Sequence, residues 1–398
     1  MVQYLPIELV VVQATGFCNL NCTYCYLSEG TRKAKDRIPL SSLSKYFSKI
    51  LSSQLLGDSL IVSWHSGEPL VLGPRYYEAA VDAITRLKEE FCPPGFKIFH
   101  DIQTNGTLLD EDWCNFFRKY QDVFTVGISC DGPAHMHDAY RTDWHKAGTF
   151  ERTRKGMELL IKHEIKFGLI AVVSPRTLDH PDEFFDFFYS YRSHISEIRF
   201  NLLDQFLDSG ELSYSDSSPK YYSFLKRLLD RIESCGSKEE ILNIKNFSYF
   251  YNRLFTSSEE RQKKTASYMS LPFRAFNIAA NGDVSTFYAG VTVDECEDIY
   301  GDNRGLVIGN IDIQSIDEIM QSAKLAQIAS DFARSHSSCQ SECPYFELCP
   351  GGYNLVKFKR YGTFDAAETP ECKIQVKVFT DALMDHINDN LEAAAGNQ

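Results

Sequence analysis

Cys18-Asn-Leu-Asn-Cys22-Thr-Tyr-Cys25 places three thiols within eight residues, spaced three and then two apart, with an aromatic side chain before the last. Three thiolates can hold three corners of a cubane iron–sulfur cluster and leave its fourth iron open to a ligand that is not protein. A closed structural zinc site shows four ligands, often as two close pairs. The spacing by itself leaves iron–sulfur and zinc both open. What precedes the triad is Ile7–Gln13, a short, β-branched, nearly all-apolar run that reads as a strand covered on both faces. The cysteines therefore follow the C-terminal end of a buried strand.

Outward from this point the chain alternates. Ser41–Leu56, Tyr76–Phe91, Asp110–Tyr120, Phe150–His163 and Asp182–Tyr191 carry apolar residues at helical spacing. Between them lie short strand-like runs at Ser59–Trp64, Phe96–Gln103, Val123–Cys130, Phe167–Val173 and Glu197–Leu203. Six strands alternating with helices predict parallel βαβ units and a curved or closed α/β sheet. Residues 205–265 change character, with a polar loop (208–219), a helix (Lys220–Ser234) and the aromatic run Phe247–Tyr251, for which core packing is the simpler reading. Ala275–Ala280, Asn281-Gly-Asp283 and Val284–Tyr288 have the pattern of a β-hairpin. A final amphipathic helix is expected over Ile374–Leu391. The divisions drawn from this pattern are 1–204, 205–265 as a bridge, and 266–398.

The 398 residues carry 54 acidic and 41 basic side chains, a net charge of −13, which argues against general nucleic-acid binding. No run approaches the roughly 18 apolar residues of a membrane span, and the first residues have no leader character. A cytoplasmic protein is expected. In that reducing compartment the twelve cysteines read as metal ligands and core residues rather than disulfides. Seven of them form two groups: 18, 22, 25 and 339, 343, 349, 372.

Polar residues follow the ends of successive strands, where α/β folds place ligands. They include Ser66-Gly67-Glu68-Pro69, Gln103, Asn105, Ser129 and Arg141. Glu68 offers a carboxylate to an ammonium group, and Arg141 a guanidinium to a carboxylate. Ammonium plus carboxylate describes an amino acid. Cys18, Cys22 and Cys25 with Tyr24 match the CxxxCxΦC signature of radical S-adenosylmethionine (radical SAM) enzymes, and Ser66–Pro69 resembles their GGEP motif, with Ser for the first Gly. The resemblance implies an α/β fold, a partial (β/α)6 TIM barrel, and a [4Fe-4S] cluster that cleaves SAM to a 5′-deoxyadenosyl radical. It also implies an amino-group contact for Glu68, and ribose or carboxylate contacts for Gln103, Asn105, Ser129 and Arg141.

Cys339-x3-Cys343-x5-Cys349-Pro-Gly-Gly followed by Cys372 supplies four thiolates, enough to close a zinc or an iron–sulfur site. Behind a radical SAM domain it resembles the SPASM extension. The full pattern has seven cysteines and two auxiliary clusters. Here Tyr353 stands where a cysteine is common and the Asn281–Phe287 hairpin lacks flanking cysteines, so one auxiliary [4Fe-4S] cluster is expected, with Cys296 a spare. Val11–Asn19, 282–287, Gly309-Asn-Ile311, Cys343-Pro-Tyr-Phe346 and Tyr361–Phe364 together resemble the cyclophane-forming peptide maturases of the GrrM/OscB type. That resemblance implies a ribosomal precursor peptide as substrate, joined from an aromatic ring carbon to a β-carbon two residues along. It implies net two-electron oxidation and an external one-electron donor of the flavodoxin or ferredoxin type. Asp131, Asp204 and Tyr288 are the base candidates. No recognition domain fits ahead of Cys18, so leader capture is expected at the barrel mouth, the bridge or a separate protein. Thioether formation, formylglycine-type sulfatase maturation and a zinc-binding interaction protein are the alternatives.

Overall fold

The computed structural model describes residues 6–203, 214–236, 241–257, 272–286, 298–349, 351–352 and 354–396. Asp204, Phe287, Tyr288, Cys296, Pro350 and Tyr353 lie outside the described residues, as do residues 208–213 of the expected 208–219 loop. Residues 214–219 are not loop but the start of helix Tyr214–Glu233, six residues ahead of the expected start at Lys220. Six parallel strands come first: β1 Ile7–Val12, β2 Leu56–Trp64, β3 Lys97–Thr104, β4 Phe124–Ser129, β5 Phe167–Val173 and β6 Ile195–Leu202. They pair in sequential order and β6 does not close onto β1, so the barrel is partial and open. Each crossover carries a helix, as parallel pairing requires.

Burial shows why. In β3 Ile98, His100, Ile102 and Thr104 are buried, while Lys97, Phe99, Asp101 and Gln103 are not; β5 alternates in the same way. One face packs beneath helices such as Pro74–Phe91, through Tyr77 (0% exposed), and Glu111–Lys119, through Trp113 and Phe116. The other face is the barrel's inner wall. Element ends follow local chemistry: Asp110 accepts the amide of Trp113 at 3.0 Å, capping Glu111–Lys119.

β1 is not an edge. β7 (Ala275–Ile278) pairs parallel to it, Leu9 opposite Ala275 and Val12 opposite Ile278. β7 then pairs antiparallel with β8 (Asp283–Thr286), and β8 with β9 (Val307–Asn310). The hairpin signature is thus a continuation of the barrel sheet, with Gly282 at φ 82 in its turn. Covering the outer strand of an open barrel removes a row of unpaired backbone groups. A bidentate Arg274–Glu8 pair (2.8 Å to each oxygen) fixes the junction.

The aromatic run falls in helix Lys245–Phe255, with Phe247 and Phe250 buried and Tyr249 and Tyr251 about half exposed. Phe379, 1% exposed, packs on Phe250 (4.7 Å), Phe247 (5.0 Å) and Phe200 of β6 (6.5 Å). It begins helix Phe379–Gly396, preceded by a π-helical turn, Lys373–Val378. Among the described residues, no helix is long and apolar enough to cross a membrane. Phe379→Ala should cost about 3–5 kcal/mol, the usual loss for a fully buried aromatic, read by denaturant unfolding; a loss under about 1 kcal/mol would show that this cluster does not hold the final helix to the barrel.

Candidate active site

The cysteine loop leaves β1 and is clamped from two sides. On one side, the amide of Glu68 donates to the carbonyl of Phe17 at 2.8 Å. A Cβ at Gly67 would stand 2.4 Å from that oxygen and 2.6 Å from the carbonyl of Gly16, and Gly67 has φ 56. No side chain fits there. On the other side, segment 140–144 receives Asn21 N–H at the Thr142 carbonyl (2.7 Å) and Thr23 N–H at the Tyr140 carbonyl (2.9 Å). Trp144 Nε1 donates to the Cys18 carbonyl at 3.0 Å, and the Arg32 guanidinium lies over its ring and bonds Asn21. Trp144 and Arg32 carry no signal in the sequence, because neither lies in a recognisable motif.

Glu68 is 1% exposed and takes three hydrogen bonds: from Leu70 N–H (2.9 Å), Thr104 Oγ1 (2.7 Å) and Asn105 N–H (2.8 Å). Burial pushes its carboxyl up to about 7, against those three bonds, which favour the ionised form. Asn105 reaches back from the end of β3, its Nδ2 on Asn19 Oδ1 at 2.9 Å, so the glutamate motif, the cysteine loop and the third strand form one unit. Gln103 Nε2 meets Ser129 Oγ at 3.0 Å on the inner face. Gly127 makes room, because a Cβ there would lie 2.4 Å from Gln103 Oε1.

Arg141 is also brought to this end. Its Nε donates to Asp131 Oδ2 at 3.0 Å, and its guanidinium lies 5.3 Å from the Tyr24 ring centre. Asp131, 2% exposed, also accepts Tyr24 Oη at 2.6 Å and Val172 N–H at 2.9 Å. With both oxygens engaged and an arginine paired to it, Asp131 is an anchor for Tyr24 and Arg141. Asp101 is the residue missed: on the inner wall of β3, held by Ser63 Oγ (2.5 Å), it has no cation paired with it among the described residues, and burial raises its carboxyl. Its only sequence signal was the alternation of β3.

The four later cysteines meet as well. Cys339 lies in the last turn of helix Ala323–Glu342, Cys343 caps it with a 2.9 Å bond to the Cys339 carbonyl, and Cys372 closes a short helix capped by Thr369. Cys339, Cys343, Cys349 and Cys372 line one cavity with Gly351, Gly352, Lys357 and Lys377.

Both cysteine sets fit a cluster better than a single ion. A tetrahedral zinc draws thiolate sulfurs to about 3.8 Å from one another. Among the described residues the one group of three or more ligand side chains within 4.8 Å is His135, His180 and Glu183, which is exposed, holds no cysteine, and is accounted for by His180–Glu183 and His135–Glu183 contacts of 3.0 and 3.5 Å. Burial pushes the Cys18 thiol up to about 12, with Glu68 adding to it, and Cys22 up to about 11 despite Arg141. Such thiols become thiolates at neutral pH when a metal displaces their protons.

Comparison with known proteins agrees. The Radical SAM superfamily profile matches residues 12–188, and an uncharacterized protein of Synechocystis sp. is 30% identical over 391 residues, covering 98% of this chain and 94% of that one. The chain belongs to the radical SAM superfamily. It is an enzyme, and the superfamily's [4Fe-4S] cluster and SAM are its cofactors. Over 354 residues the radical SAM chain is 26% identical to the cysteine-type anaerobic sulfatase-maturating enzyme of Clostridium perfringens (strain 13), covering 87% of this chain and 88% of that one. Its fold matches anSMEcpe with bound AdoMet at a TM-score of 0.75, with 23% identity and coverage of 96% and 98%. It also matches Streptococcus suis SuiB bound to precursor peptide SuiA at 0.60, with 18% identity and coverage of 93% and 76%.

Ser66 stands where the motif's first glycine is usual, and its φ is 84. Ser66→Gly should therefore raise unfolding free energy by about 1 kcal/mol, and Gly67→Ala should lower it by about 3 kcal/mol, both read by anaerobic denaturation; an unaffected Gly67→Ala protein would show that the clamp yields without cost.

Proposed function

We propose that this enzyme is a peptide maturase that installs a three-residue cyclophane, an aromatic ring carbon joined to a β-carbon two residues along, in a ribosomally synthesised precursor. The observation that carries a peptide substrate is the inner cavity. It measures about 1120 Å³ and runs from the loops before β4 and β5 up the inner wall, past Asp101, Thr125, Gly168 and Arg199, to Gln103. Cavities for small ligands seldom exceed roughly 1,000 Å³. An extended segment of a few residues suits it better. The choice of a cyclophane rests on the GrrM/OscB-type motifs and on the single four-cysteine site, since 236–338 contains Cys296 alone. Formylglycine formation is the second reading, favoured by the 26% identity to a sulfatase-maturating enzyme.

Cys18, Cys22 and Cys25 would hold the cluster that binds SAM, which together supply a radical able to take a hydrogen atom from an unactivated carbon. Cys339, Cys343, Cys349 and Cys372 would hold one auxiliary [4Fe-4S] cluster. In this reading Glu68 receives the amino group of SAM on the side left by its three internal bonds. Arg141, bound to Asp131 through Nε, would offer its remaining guanidinium N–H groups to the carboxylate. Gln103, Ser129 and Asn105 line the path of the ribose, and Tyr24 packs between the loop and Arg141. After the carbon–carbon bond forms, the ring must lose one electron and one proton. Asp101 is placed on the cavity wall to accept that proton. The electron that starts each cycle comes from a flavodoxin- or ferredoxin-type donor.

Because an ammonium favours the ionised carboxylate, binding of SAM below pH 7 releases the proton from Glu68. Affinity should rise with pH up to about 7 and level off above, in anaerobic equilibrium binding, and Glu68→Gln should bind at least tenfold more weakly with a flat profile. An unchanged profile in Glu68→Gln removes that role. Asp101→Asn should form product at least tenfold more slowly while 5′-deoxyadenosine still accumulates; equal product rates exclude Asp101 as the base. The product itself is tested by co-expression with the neighbouring precursor peptide and mass spectrometry. Loss of two hydrogens within an aromatic-x-x segment is expected, and a link at sulfur or a new aldehyde would overturn the cyclophane.

A further inference from the structure

Lys357 is 2% exposed, on helix Asn354–Tyr361. Lysine is seldom buried this deeply without an anionic partner. Among the described residues no carboxylate pairs with it. Its ammonium donates instead to Cys339 Sγ at 3.0 Å, to Ser335 Oγ at 2.7 Å and to the Ser335 carbonyl at 3.1 Å. Ser335 and Cys339 are one turn apart on the same face of helix Ala323–Glu342. Ser335, fully buried, passes its own hydroxyl hydrogen to Asn354 Oδ1 at 2.7 Å, which fixes the acceptor. The other lysine of this cavity differs: Lys377 is paired with Glu368 and so largely neutralised. Among the described residues, Lys357 has the Cys339 sulfur and no carboxylate to balance it.

Resting on the reading of Cys339, Cys343, Cys349 and Cys372 as ligands of an auxiliary cluster, the geometry points to Lys357 as the residue that sets that cluster's reduction potential. A buried ammonium hydrogen-bonded to a ligand thiolate favours whichever redox state carries the extra negative charge. That is the reduced state, so the potential rises. The step served is a one-electron oxidation: the substrate radical gives up its electron, the cluster is reduced by one, and the proton leaves separately. A cluster with a higher potential is the better acceptor. Lys357 lines the four-cysteine cavity and acts through Cys339; it is a positioning and tuning residue.

The test uses the full chain in a Cys18→Ala/Cys22→Ala/Cys25→Ala background, so that only the auxiliary cluster gives a signal, with potentiometric titration followed by electron paramagnetic resonance. Lys357→Met should move the midpoint to more negative values by at least a tenfold change in the oxidised-to-reduced ratio at fixed potential, about 59 mV for one electron. Lys357→Arg should stay near the parent. Ser335→Ala keeps the charge while removing one anchor, and should shift the midpoint the same way by less. Iron retained in Lys357→Met with an unmoved midpoint overturns the inference alone. Where that variant loses its iron, Ser335→Ala decides: a negative shift supports the inference and an unmoved midpoint overturns it. A parent background with no iron overturns the four-cysteine reading, and the inference with it.

Discussion

The carbonyls of Gly16 and Phe17 lie so close to residue 67 that a single added carbon would stand 2.4 Å from an oxygen. That approach lets the amide of Glu68 bond the cysteine loop directly. It sets the glutamate, the three thiols and, through Asn105 and Asn19, the end of β3 at fixed spacing. Segment 140–144 closes the other side with Trp144 on the Cys18 carbonyl. A loop of irregular backbone carrying three ligands has no regular ladder to hold it, so its geometry comes from these contacts.

Charge is handled differently at the two cysteine sites. Near Cys22 the buried cation, Arg141, is already paired with Asp131 and braced by Tyr24. Near Cys339 the buried cation has no carboxylate among the described residues and faces sulfur. In the proposed reading, the first arrangement receives a ligand with its own ammonium and carboxylate. The second suits a site whose net negative charge changes by one electron. The cavity on the inner wall of the barrel runs from Gln103 past Asp101 to the loops before β4 and β5.

Much of this was legible in the sequence because the signals were local. Each of the six parallel strands was found to within three residues at either end, since a β-branched run bounded by turns leaves little choice. Ligand cysteines declare themselves by spacing. What stayed hidden depends on partners distant in the chain. The hairpin Ala275–Thr286 reads as a module of its own, and only pairing with β1 reveals it as an extension of the barrel sheet. Asp131 follows a strand just as Gln103 and Ser129 nearly do, yet Tyr24 and Arg141 claim it. Lys357 looks like one basic residue among several in Lys357-Phe-Lys-Arg360, and its burial against Cys339 comes from helix packing. Ser66 departs from the glycine of the motif, and its φ of 84 shows what the departure costs.

In the proposed reading the two cysteine sites differ in one respect, an open cluster at three cysteines and a closed one at four. Electron paramagnetic resonance of the reduced protein, with and without SAM, measures it in two complementary variants. With Cys339, Cys343, Cys349 and Cys372 replaced by Ala, the remaining signal should change shape on adding SAM. With Cys18, Cys22 and Cys25 replaced by Ala, it should not change. A signal at the four-cysteine site that responds to SAM, or a protein that holds zinc and no iron, would contradict the account.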